Sequence, residues 1–196
     1  MMRMAKPVPE LWILRHGRTE WNDAERLQGR LDSPLTAEGE AQARRQGVIL
    51  RRELPQTPVQ MLSSPAGRAW RTADIAGAVA RLVPEAEPDL VEVGLGEWQG
   101  QSVAEIHAAH PELTQADDPN LWKFSAPGGE TLSGIETRLQ ALLERLEGPT
   151  VLVTHGVTSR ALRCLVLGRA LQDLSALPGG QGVVHHIRDG VARVIE

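Results

Sequence analysis

The chain has 196 residues, 41% of them hydrophobic and 23% charged, the balance of a folded, water-soluble protein with room for one domain and its core. Its 21 Lys and Arg against 25 Asp and Glu leave a net charge of -4, which excludes a broad basic surface for nucleic acid or an anionic membrane. The single cysteine, Cys164, excludes an internal disulfide and reads as a small buried hydrophobe in a reducing compartment, with the cytoplasm as the expected location.

MMRMAKPVPE lacks the apolar stretch of a signal peptide, and no window approaches the roughly 18 apolar residues of a membrane span. The run LWIL at 11–14 reads as a buried strand that leads into a loop at Arg15-His16-Gly17. From Thr36, TAEGEAQARRQGVILRREL has a Thr cap, acidic residues first and basic residues last, the signs of a helix that stops before Pro55. VQMLSS at 59–64 is a second strand. Pro65 then stands at an expected first helical position, and helical spacing runs through AGRAWRTADIAGAVARLV to Pro84.

PDLVEVGLGEWQG at 88–100 is punctuated by glycine and reads as a strand end and loop, with Glu92 at the strand end. SVAEIHAAH is a short helix whose Ser102 and Glu105 form a capping box. Residues 111–130 lack periodicity and carry Pro and paired Gly, so 101–130 is expected to be an insertion that covers a substrate. A helix over 131–146 precedes TVLVT at 150–154, a β-branched strand that ends at His155-Gly156. The helix TSRALRCLVLG follows, closed by Gly168. In the tail, GVVHHIRDGVARVIE reads as a hairpin turning on Asp189-Gly190.

Strands alternating with helices predict one α/β domain over 1–196. Its expected form is three layers, α/β/α, around a mostly parallel sheet with at least one antiparallel strand. Ligands of such sheets bind beyond the carboxyl ends of the strands, which directs attention to 15–17, 63–68 and 155–156. A strand followed by His-Gly occurs twice, so both imidazoles can reach one sheet edge, with Arg15 beside the first and Arg68 after the second strand.

A transferring phosphoryl group needs fixed positive donors, which Arg15 and Arg68 suit. Neutral His16 can be the nucleophile, giving a phosphohistidine, while His155, protonated, steadies the oxygens. The leaving alkoxide needs a proton from a carboxylic acid whose pKa is raised by burial or neighbours. Glu92 is the candidate, although spacing alone favours an ordinary exposed carboxylate.

The string LRHGRTEWN resembles the signature of the histidine phosphatase superfamily, which includes cofactor-dependent phosphoglycerate mutases. QGRLDSPLTAEGEAQA at 28–43, SSPAGRAWRTA at 63–73, LVEVGLGEWQG at 90–100, PGGETL at 127–132 and VLVTHGVTSRAL at 151–162 resemble successive family blocks in order. The resemblance implies a phosphoglycerate mutase-like fold and His16 as the phosphorylated residue. It also implies Arg15, Arg68 and His155 as the phosphate pocket and Glu92 as proton donor. Asn22 and the backbone at Gln28-Gly29 would hold phosphate or substrate, with Gly156 beside them and Thr19 supporting the loop. The implied chemistry needs no metal and no cofactor. Arg18 stands where relatives often carry an acid, and either adds positive field at the pocket mouth or points into solvent. Val157 replaces a frequent Gly or Asn and puts contacts made there in doubt.

His107, His110, His185 and His186 lack ligand spacing and read as surface or sheet residues. Trp12 and Trp70 read as core. Trp98 is core or pocket wall, and Trp122 and Phe124 face substrate or staple a loop. Lys123 is the one basic residue between 101 and 130, which favours hydrolysis of a small phosphate monoester over mutase-type transfer, as does PGGE at 127–130. A catalytically silent binder of phosphorylated ligands is the further alternative. No heptad or apolar stripe specifies an oligomer.

Overall fold

The structure, a computed structural model, describes residues 7–115 and 118–196. The first six residues and positions 116 and 117 of the expected covering segment lie outside the described residues. Strands β1 (Leu11–Arg15), β2 (Gln60–Ser63), β3 (Pro84–Ala86), β4 (Thr150–Thr154), β5 (Val184–Arg188) and β6 (Val191–Ile195) form one sheet in the order β3-β2-β4-β1-β5-β6. The first four in that order run parallel, while β5 pairs antiparallel with both β1 and β6.

The alternation of side chains along β1 sorts the core into two layers. Leu11 and Ile13 join Leu62 and Leu152 under helices α5 (Leu132–Arg145) and α6 (Gly156–Val166). Trp12 and Leu14 join Met61, Val151 and Val153 under α2 (Ala37–Glu53) and α3 (Gly67–Ala80). This is the three-layer α/β arrangement, and truncating one of these side chains to Ala costs about 2–5 kcal/mol. A smaller cluster of Trp98, Ile106, Trp122 and Ala126 lies beneath residues 98–126, where α4 (Val103–Ala109) carries the Ser102/Glu105 capping box.

Register places the site. Arg15 pairs with Thr154 across β1 and β4, and Ser63 pairs with Val153 across β2 and β4. The three chains therefore leave the sheet at one level, tied by His16 N–H donating to Thr154 O and Ser64 N–H to Val153 O, each at 2.9 Å. Gly17 is required just there: a Cβ on it would stand 2.2 Å from the carbonyl oxygen of Gly39 at the start of α2.

Several boundaries differ from the sequence reading. α3 begins at Gly67 and not at Pro65, because Ala66 has no capping side chain and Asp32 Oδ1 accepts from Arg68 N–H at 3.1 Å instead. α3 ends at Ala80, where Arg81 turns left-handed at φ 64°, and the chain reaches Pro84 as the start of β3. Proline is tolerated there because β3 is a sheet edge. Glu92 consequently follows a 3-10 turn at Pro88–Leu90 and not a strand end. α6 starts at Gly156, two residues early, and a short helix α1 (Glu20–Asp23) stands where the sequence reading had none. Trp70 is 38% exposed and not core. In the β5–β6 hairpin, Asp189 and Gly190 have φ of 51° and 74°, the left-handed pair that a tight two-residue turn requires.

Candidate active site

His16 and His155 emerge from adjacent parallel strands with ring centroids 5.2 Å apart. His16 Nδ1 lies 2.8 Å from the carbonyl oxygen of Gly17. A carbonyl can only accept, so Nδ1 carries the hydrogen and Nε2 holds the lone pair. Burial, reinforced by His155, Arg15 and Arg68, lowers the His16 pKa well below the usual imidazole value, which keeps the ring neutral and nucleophilic.

Arg68 is 2% exposed and held from behind. Its Nη1 donates to Leu31 O at 2.7 Å and Asp32 Oδ1 at 2.9 Å, and its Nη2 donates to Gly29 O at 2.8 Å. Arg15 lies against Gly156, where a Cβ would be 3.5 Å from the guanidinium. His155 Nε2 is 2.8 Å from Ser64 Oγ. Arg15 Nε, Arg68 Nε and His155 Nδ1 are buried and have no hydrogen-bond partner among the described residues. Unsatisfied buried polar groups are costly, and two guanidinium donors with an unpartnered ring nitrogen around one imidazole describe a cradle for an anion. Arg15, His16 and Arg68 line a cavity of about 140 Å³ that Asn22, Gln28, Gly29, Glu92 and Gly156 also line.

Glu92 faces the N-terminus of α6. Its Oε2 accepts from Val157 N–H at 3.2 Å, and its Oε1 accepts from Thr158 N–H at 3.0 Å and Val93 N–H at 3.1 Å. Burial pushes its pKa up, but these backbone hydrogen bonds and Arg68 outweigh it and leave the pKa lowered. The expectation of a raised value is thus corrected, because the helix amides favour the carboxylate. The expectation that His155 is protonated is corrected too: burial first, then Arg68, Arg15 and Arg138, lower its pKa well below the ordinary value.

A family model described as "Histidine phosphatase superfamily (branch 1)" matches residues 11–189. The chain belongs to the histidine phosphatase superfamily. It is 31% identical to phosphoserine phosphatase 1 of Hydrogenobacter thermophilus over 81% of this chain and 76% of that one. It is 32% identical to a probable phosphoglycerate mutase GpmB of Photorhabdus laumondii over 80% of this chain and 73% of that one. The structure of a mycobacterial glucosyl-3-phosphoglycerate phosphatase complexed with VO3 superposes with a TM-score of 0.78 at 33% identity, covering 95% of this chain and 96% of that one. Relatives that are themselves phosphatases support a phosphoric monoester hydrolase, and the mutase relatives fit that function less well.

In this histidine phosphatase the remaining site candidates separate clearly. Thr19 does not line the cavity. It is buried below, accepting at Oγ1 from Gln28 Nε2 at 2.8 Å and from Asn22 N–H at 3.2 Å. Gln28 Oε1 is left buried without a partner, an acceptor available to a ligand hydroxyl. Gly29 is left-handed at φ +53°. Arg18 resolves toward solvent, exposed and ion-paired with Asp23, and Val157 keeps its backbone contact to Glu92. Trp98 and Trp122 pack on each other with centroids 5.6 Å apart, and Phe124 packs on the main core, so the aromatic residues staple the segment and do not line the cavity.

Sequence reasoning missed Arg26, Asn120 and Arg160 as lining residues and counted Lys123 only as a lone cation. Arg160 lies one helical turn after Gly156 and donates from Nη1 to Gly156 O at 3.1 Å, and that i,i+4 spacing was the available signal. Lys123 Nζ donates to Asn120 Oδ1 at 2.9 Å. Burial draws its pKa down to about 8, with Glu92 opposing and Arg15 and Arg160 assisting. Gln181, also missed, donates from Nε2 to His16 O and Asn22 Oδ1, both at 3.1 Å.

Proposed function

We propose that the protein hydrolyses a small phosphate monoester through a phosphohistidine on His16. The observation that carries this reading is the set of unpartnered buried nitrogens, Arg15 Nε, Arg68 Nε and His155 Nδ1, around an imidazole whose free Nε2 is fixed by the Gly17 carbonyl. In the first displacement His16 Nε2 attacks phosphorus, the ester P–O bond breaks, and the alkoxide takes a proton from Glu92. In the second, water attacks the phosphohistidine, Glu92 takes back a proton, and inorganic phosphate leaves neutral His16.

Both pKa corrections fit these steps once an anion is bound. A phosphate dianion beside Glu92 disfavours the carboxylate and draws in the proton that the leaving group needs. Ser64 Oγ accepts from Ala66 N–H at 3.3 Å, and in this reading its own hydrogen goes to His155 Nε2, 2.8 Å away. Neutral His155 then presents Nδ1–H to a phosphoryl oxygen, and protonation is not required. Arginines supply the positive charge, so the reaction is metal-independent in this reading and survives chelation. Asn120 and Lys123 at the cavity support residues 101–130 as the substrate cover of a single domain, and buried, free Cys164 suits a cytoplasmic enzyme.

Turnover of an aryl phosphate tests the proposal. His16→Ala abolishes it, and wild type quenched in alkaline denaturant retains a phosphohistidine label that acid then removes; turnover undiminished in His16→Ala overturns the mechanism. The mutase reading rests on the relative named a mutase. With 3-phosphoglycerate and a bisphosphate primer, isomerisation outrunning phosphate release would favour it.

A further inference from the structure

Arg163 is a buried cation that the proposed chemistry does not use. It is 3% exposed, and its guanidinium donates only to neutral acceptors: Nε to Ser159 O at 3.2 Å, Nη2 to Pro178 O at 2.8 Å, and Nη1 to His185 Nδ1 at 3.3 Å. The other fully buried arginine, Arg68, has a counter-charge, as does half-buried Arg138. Arg68 pairs with Asp32 at 2.9 Å and Arg138 with Glu130 at 2.6 Å, while Arg15 faces the phosphate cradle. No carboxylate stands within ion-pair distance of Arg163 among the described residues, and burial, with Arg160 assisting, draws its pKa down to about 10. A buried charge without a partner is among the more costly features of a fold.

Arg163 borders a hollow of about 250 Å³ between the end of α6, the 3-10 turn at Leu171–Ala176 and the β5–β6 hairpin. Arg169, Arg193 and His185 also line it, no Asp or Glu does, and Leu167 and Leu177 supply apolar wall. Arg169 makes no ion pair among the described residues. The hollow shares no lining residue with the catalytic cavity. His185 stays neutral, its pKa drawn down to about 3 by burial and by Arg163, so its Nδ1 lone pair accepts from Nη1, and the second hydrogens of Nη1 and Nη2 have no acceptor among the described residues.

We propose that this hollow is a second anion site that binds a small carboxylate with an apolar body. The carboxylate supplies the counter-charge that Arg163 lacks, bridging it to Arg169 in the two-oxygen geometry that guanidinium favours. The apolar body lies on Leu167 and Leu177. The size suits an aryl or branched alkyl group and is too small for a drug-sized ligand.

A fluorine NMR titration of 4-(trifluoromethyl)benzoate into the full chain tests this, with aryl phosphate hydrolysis measured at the same probe concentrations. Saturable one-site binding is expected, weakened about tenfold or more in Arg169→Gln, roughly the loss of one good charge-assisted contact. Hydrolysis is expected to be unchanged at saturation. Arg169 is exposed, so this variant folds whatever happens to Arg163→Met, for which binding is expected to vanish. Absence of saturable binding, equal affinity in Arg169→Gln, or competition between probe and aryl phosphate overturns the proposal.

Discussion

Glu92 is held by opposing influences. The amides of Val157, Thr158 and Val93 stabilise its carboxylate, yet a proton donor must carry hydrogen when the ester bond breaks. The conflict resolves if substrate charge supplies the protonation, which makes Glu92 costly to lose only where the leaving group needs help. Glu92→Gln is expected to cut kcat/KM for alkyl phosphates by about 10²–10⁴ and for aryl phosphates with good leaving groups far less. Equal losses on both would contradict the proton-donor role. His16 offers a second test at this scale. NMR titration of its imidazole should place the midpoint well below the ordinary value, and a midpoint at about 6.5 would mean that the cationic surroundings are not felt. His16, His155, Arg15 and Arg68 were legible because strand-His-Gly occurs twice and arginine matches phosphate, whereas Glu92 was favoured, and Asn22, Gln28 and Gly29 were singled out, only by the family resemblance. Protonation states were not, because they depend on which amides and carbonyls the fold brings to each side chain.

At the scale of elements, the start of α3 ties stability to the site. Ala66 cannot cap the helix, and Asp32, more than thirty residues away in the chain, does so through Arg68 N–H while pairing with the Arg68 guanidinium. Asp32→Ala is therefore expected to lose about 1–2 kcal/mol of stability and to raise KM in the same variant, as denaturant unfolding and steady-state kinetics would register. A stability loss with unchanged KM would separate the two roles. This long-range cap explains why Pro65 misled a reading that looks for local caps. The edge strand β3 was missed because three residues beginning with proline carry almost no strand pattern. Buried strands and the hairpin were legible because their apolar runs, β-branched in TVLVT, and the Asp-Gly turn are local signals. Lys123 gives a further prediction. Lys123 loses its charge as pH rises through about 8, so KM for a phosphate ester bearing a second anionic group should rise above that pH. Lys123→Arg, whose charge persists, should remove the rise; an unchanged pH profile in that variant would remove Lys123 from substrate contact.

Across the whole molecule the perturbed cavity groups share a direction. His16 and His155 are depressed, His185 falls to about 3 and Lys123 to about 8, and Glu92 is lowered too. Each depressed histidine stays neutral in the folded chain but takes a proton in the unfolded chain below about 6.5. The unfolded state then binds more protons, so stability rises with pH in that window and falls as acid is added. For His185 the loss continues down to about 3, and Glu92 adds its own loss once the pH falls below the ordinary glutamate range. The thermal midpoint should therefore drop between pH 7 and pH 5, before most carboxylates titrate, and His185→Gln should shallow that slope while keeping an acceptor for Arg163. A flat midpoint over the interval would show that burial and the neighbouring cations are not opposing protonation. Inorganic phosphate completes the argument, since an anion in the cradle reverses the sign of the local field. Its binding should take up a proton at Glu92, seen as a calorimetric heat that varies with the ionisation enthalpy of the buffer. The uptake should disappear in Arg15→Gln if the cradle is where the anion sits.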